Sequence, residues 1–107
     1  MSRSADAGAL PAPATAPVLR LDGELSIYRA AELKPLTLGA VAAAAGAAEA
    51  RFDLSEVTEI DTAGVQLLLL ARREAAAGGL TLALCDASPA VRSAFALLEL
   101  DQHLAAA

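Results

Sequence analysis

The chain has 107 residues, a formal charge of -5 and a pI near 4.6, enough for one domain with a modest core. The acidic balance works against phosphate backbones and anionic membrane surfaces. Aromatic residues at 3% and the absence of tryptophan argue against a base-stacking platform, and the single cysteine, Cys85, excludes an intramolecular disulfide.

Residues 1–17 are small and proline-rich and read as a disordered tail ahead of a domain over 18–104. They do not read as a signal peptide, which points to a cytoplasmic protein. Val18–Leu21 and Glu24–Ile27 read as two strands joined by the turn pair Asp22-Gly23, an opening antiparallel hairpin with Leu25 and Ile27 inward. Arg29 to about Ala48 favours helix, with Leu33, Leu36, Ala40 and Val41 on one stripe. Pro35 is expected to divide it into a turn and a helix begun near residue 35, and Gly46 to end it. The alanine-rich run Leu36–Ala48 is too short to span a bilayer.

Ala50–Leu54 alternates as a strand with Phe52 and Leu54 inward, and Ser55–Glu59 reads as a polar connection leading to Ile60. Asp61-Thr62-Ala63-Gly64 opens the strongest helix, which carries Val65, Leu68 and Leu69 and stops at Gly78-Gly79. Leu80–Cys85 has the composition of a central strand buried on both faces, which makes Cys85 a structural thiol. Ser88-Pro89 is an N-cap followed by proline at the first helical position, for a helix presenting Val91, Phe95 and Leu98. The order implies an α/β domain: a mixed sheet of about four strands, hairpin first and parallel strands after, with helices packed on it.

The residues offer little for catalysis. His103 reads as a solvent-facing helix-end residue, no set of metal ligands stands out, and no glycine-rich phosphate loop is present. Asp53, Glu56, Glu59 and Asp61 are close in sequence and read as a solvated acidic loop ahead of the alternative, a loose cation site. No cofactor and no enzymatic activity are expected.

The turn at 61–64 is the exception. Thr62 suits an N-cap, its oxygen accepting a backbone N–H. Gly64 is an unfavourable residue in a first helical turn unless something approaches the backbone closely. The hydroxyl, the carboxylate and the bare backbone read as a docking surface of Asp61, Thr62, Ala63, Gly64, Val65 and Leu68. A phosphate on Thr62 would sit at a helix N-terminus, where the dipole favours negative charge.

Leu21-Asp22-Gly23-Glu24-Leu25, Phe52-Asp53-Leu54-Ser55 and Ile60-Asp61-Thr62-Ala63-Gly64-Val65 resemble the STAS family, with support from Ser88–Val91 and Leu97-Leu98. The resemblance implies a STAS-like mixed sheet with helices. It also implies a regulatory protein of the anti-sigma-factor-antagonist type whose phosphoacceptor is Thr62 and whose partner is a kinase of the anti-sigma type. The acceptor here is Thr where Ser is commoner. Thr-Ala-Gly is also similar to the STAS subunit of phospholipid-transport ABC systems, which implies docking on an ATPase. Glu24–Ala31 is similar to STAS proteins associated with chemotaxis kinases.

Overall fold

The computed structural model describes residues 17–105. The expected tail therefore lies outside the described residues except for Pro17, whose carbonyl accepts the Arg51 amide at 2.9 Å. In chain order the elements are β1 (Val18–Leu25), a 3₁₀ turn (Ile27–Arg29), α1 (Ala30–Ala43), β2 (Glu49–Ile60), α2 (Thr62–Ala77), β3 (Thr81–Cys85), α3 (Pro89–Leu97) and a last 3₁₀ turn (Asp101–His103).

The α/β class and the STAS-like arrangement of helices on an open sheet are as the sequence implies. Among the described residues the sheet has three strands in the order β1-β2-β3, and both pairings are parallel. The expected hairpin is absent from them. Asp22-Gly23 does not reverse the chain; β1 runs straight through it, with Gly23 at φ +71°. The register explains how. Arg20 faces Asp53 while Asp22 faces Glu56, and Gly23 faces Val57 while Glu24 faces Glu59. β2 thus carries an extra residue twice, and the left-handed glycine absorbs the resulting twist.

The first bulge also explains why 55–59 looks like a connection. Ala50, Phe52 and Leu54 are buried in alternation, and the next buried residue is Val57, so the inward face slips by one across Ser55-Glu56. Asp53 supports the kink: its Oδ1 accepts from the Ser55 amide at 2.9 Å and from the Ser55 hydroxyl at 2.7 Å. These bonds hold the Asp53 carboxyl below the usual range, with Arg20 at 3.2 Å a smaller cause.

β2, not β3, is the central strand. β3 buries Leu82 and Leu84 and leaves Thr81 exposed; Cys85 is half-buried, and loss of hydration raises its thiol pKa. Rows such as Leu19-Phe52-Leu84 meet Leu33 of α1, Val65, Leu68 and Ala71 of α2, and Val91 and Phe95 of α3 in one cluster. Phe52 and Phe95 are 2% and 0% exposed, each contributing about 2–3 kcal/mol of burial.

α1 is continuous through Pro35. Proline forfeits one backbone bond and crowds the preceding turn. Two residues on, the buried Thr37 hydroxyl donates back to the Leu33 and Lys34 carbonyls at 3.0 and 3.1 Å. Leu33 and Thr37 form the inward stripe, while Leu36 is largely exposed. Gly46, at φ +94°, turns the chain after the helix, as its position suggests. None of the described helices is long and apolar enough to cross a membrane.

Candidate docking turn and its family

The carboxyl end of β2 and the amino end of α2 meet at Asp61. Its amide donates to the Leu25 carbonyl at 3.1 Å, which ties it to the end of β1. Its Oδ1 accepts from the Gly64 amide at 2.9 Å, and its Oδ2 from the Ile27 amide at 3.0 Å. Asp61, not Thr62, is therefore the N-cap of α2. The chain is still extended at Asp61 and becomes helical at Thr62, so only the Asp61 side chain can fold back on the first free amides. A carboxylate here also faces the positive end of a 16-residue helix. The Ile27 amide, then the Gly64 amide, favour its charged form and lower its pKa.

Thr62 occupies the first helical position and is exposed, and its hydroxyl makes no hydrogen bond among the described residues. The capping role expected of it is filled by its neighbour. Ala63 beside it is half-buried.

Gly64 is buried, and what approaches its backbone is the protein itself. A Cβ at this position would run into the Leu25 carbonyl oxygen and lie 2.8 Å from Cγ1 of Ile60. The glycine lets α2 start against the end of β1. Val65 and Leu68 are 1% and 0% exposed core residues. Gly64, Val65 and Leu68 thus leave the expected docking surface, because the helix face they occupy is turned onto the sheet. Asp61, Thr62 and the edge of Ala63 remain accessible.

The other rim of this surface escapes a reading of the sequence. β1 stops at Leu25, so Ile27 is not an inward strand residue but 65% exposed, and Tyr28 is 88% exposed. Ser26, itself 5% exposed, caps the 3₁₀ turn by accepting the Tyr28 amide at 3.2 Å. Ser26 before a helix-favouring run was the available signal, masked by the Leu25-Ile27 alternation. Arg29 donates through Nη1 to the Asp22 and Glu24 carbonyls at 2.8 and 2.9 Å and pairs with Glu32 at 3.2 Å. The carbonyls freed around Gly23 are thereby satisfied. Glu24, Ser26, Tyr28, Glu59, Ile60 and Asp61 line a shallow depression of about 120 Å³.

Elsewhere, His103 is half-buried, and its Nδ1 lies 2.8 Å from Nη1 of Arg72, which can only donate. Asp53, Glu56, Glu59 and Asp61 do not gather: among the described residues no three His, Cys, Asp or Glu side chains could hold a metal ion together.

The described residues form an open parallel sheet with helices packed on it, and a capped strand-to-helix turn at its end presents the Thr62 hydroxyl. A family model described as "Mlab, STAS domain" matches residues 9–106, and the chain belongs to the STAS domain family. It is similar to the anti-sigma factor antagonist SpoIIAA in its unphosphorylated form, at 25% identity and a TM-score of 0.68 over 88% of this chain and 83% of that one. It is also similar to the Bacillus cell fate determinant SpoIIAA in the phosphorylated form, at 26% identity and a TM-score of 0.60 over 84% of this chain and 80% of that one. No protein of curated function matches it.

Proposed function

We propose that this is a regulatory STAS domain, without enzymatic activity of its own, that acts as an anti-sigma-factor-antagonist-like partner of a kinase-type protein in the cytoplasm. The observation that carries the reading is the freed Thr62 hydroxyl: Asp61 takes over the capping, so Thr62 is exposed at a helix N-terminus with no structural duty. Likeness to SpoIIAA, whose structure exists in phosphorylated and unphosphorylated forms, supports it.

Thr62 is the phosphoacceptor. The partner positions the γ-phosphate of ATP in line with Oγ1; the Oγ1–P bond forms, the bond from that phosphorus to the bridging oxygen breaks, and the hydroxyl proton passes to a base of the partner. The product places about -1.5 to -2 charge and three oxygens at the centre of the contact. The domain keeps its fold, because Thr62 packs against nothing the core needs. Binding is switched without unfolding.

The test is capture of partners on the purified chain, with mass spectrometry of both partner and Thr62. An ATP-binding kinase should be recovered by the wild type and by Thr62→Ala, and lost with Thr62→Glu. Recovery of no such kinase, with Thr62 never modified, overturns the reading.

The name carried by the family model favours a second reading, a STAS subunit docked on the ATPase of a phospholipid-transport ABC system through the same turn. Co-purification with a transporter ATPase in place of a kinase distinguishes it, and ATPase docking that survives Thr62→Glu counts against it.

A further inference from the structure

The 3₁₀ turn Ile27–Arg29 exposes two large apolar side chains that the fold does not use, Ile27 at 65% and Tyr28 at 88%. Single exposed apolar residues are ordinary on protein surfaces. This pair differs in being held rigid beside the site. Ser26 takes the Tyr28 amide, Asp61 takes the Ile27 amide at 3.0 Å, and the Arg29 amide closes the turn on the Ser26 carbonyl at 3.0 Å. Arg29 then fastens the whole turn to β1 through two carbonyls. An aromatic side chain on a backbone fixed in advance loses little freedom on binding, which is what makes an anchor strong.

The surroundings are acidic. Glu24 and Glu59 lie opposite each other across β1 and β2, and both line the depression shared by Tyr28 and Asp61. The cation of this turn, Arg29, pairs with Glu32 and lies in the field of Glu24, whereas Glu59 and Asp61 have no ion-pair partner among the described residues.

We infer that Ile27 and Tyr28 are the apolar anchors of the docking surface, and that the Glu24–Glu59–Asp61 rim selects a protein partner whose facing patch is an apolar pocket edged by lysine or arginine. The inference rests on the reading of the Thr62 turn as a docking site and adds which side chains carry the affinity and which sign of charge the partner presents. Opposite charge around an apolar centre sets approach and orientation, and the anchors set lifetime.

Photocrosslinking in the cells that make this protein tests it, with the full chain carrying Tyr28→p-benzoylphenylalanine. Tyr28 is exposed, so the replacement leaves the fold alone. The expected result is one adduct whose crosslinked peptide contains lysine or arginine. The same probe at Leu97, 84% exposed on α3, should give no adduct with that protein. The adduct should fall about ten-fold or more when Glu24→Lys and Glu59→Lys are combined, in a chain whose circular dichroism is unchanged. Against the protein so identified, purified Ile27→Ala and Tyr28→Ala should each bind about ten-fold more weakly than wild type, and high salt should weaken wild-type binding. No adduct from position 28, a crosslinked peptide without basic residues, or indifference to both charge reversal and salt overturns the inference, even if a kinase is captured by the wild type. An adduct that persists in Thr62→Glu overturns the switch and leaves the anchors standing.

Discussion

Two strand-to-helix turns close the carboxyl ends of β2 and β3, and both are capped by a side-chain oxygen. At the β3–α3 turn, Ser88 Oγ accepts the Val91 amide at 3.2 Å, and the Ser88 amide donates to the Leu54 carbonyl at 3.2 Å. The serine is 6% exposed, and Asp86 at φ 54° bends the chain into place. At the β2–α2 turn the cap is a carboxylate with two oxygens. One closes the helix and the other reaches the Ile27 amide. The first turn is consumed by its own packing. The second organises a surface, and frees the hydroxyl that follows the cap. The same capping chemistry gives a structural corner in one place and a presented edge in the other, and burial decides which.

Four substitutions would break or sharpen that contrast. Gly64→Ala should have the largest effect, a loss of about 3 kcal/mol in urea unfolding, because its new methyl meets a backbone carbonyl that cannot swing away. If Gly64→Ala unfolds like wild type, α2 does not start against β1 as described. Ser88→Ala comes next, at about 1–2 kcal/mol, since the cap is lost and the Val91 amide is left buried without a partner. In thermal unfolding this is a fall of roughly 4–8 °C per kcal/mol. Partner binding should be untouched.

Asp61→Asn should be smaller, and its mark is pH dependence. The folded-state pKa of Asp61 is depressed by the Ile27 and Gly64 amides, so the stabilisation from its charge is fully present above the unfolded value, about 3.9. It is lost as pH falls through the lower folded value. The stability difference between wild type and Asp61→Asn should be constant from neutral pH to about pH 5 and shrink below about pH 4. A difference that grows on acidification would contradict the assigned bonds. Thr62→Ala should have the smallest effect, within about 0.5 kcal/mol, because an exposed hydroxyl without a hydrogen bond contributes little. A larger loss would mean that Thr62 shares the capping after all.

The sequence by itself determined the features that repeat locally. The order of strands and helices after residue 49, the stops at Gly46 and Gly78-Gly79, the Ser88-Pro89 helix start and the start of α2 at the Asp61–Gly64 turn all follow from periodicity and end signals. Only the tertiary structure decided the rest, because each of those points depends on a partner distant in sequence. Whether Asp22-Gly23 turns the chain or twists a strand is set by β2, 34 residues away in the register Gly23–Val57. What the second carboxylate oxygen of Asp61 holds is set by the Ile27 amide, and whether Gly64 is bare for a partner or for the protein itself is set by the Leu25 carbonyl. Val65, Leu68 and Ile27 carry the same apolar chemistry. The sheet buries the first two and ends before the third, and that placement alone separates core from exposed surface.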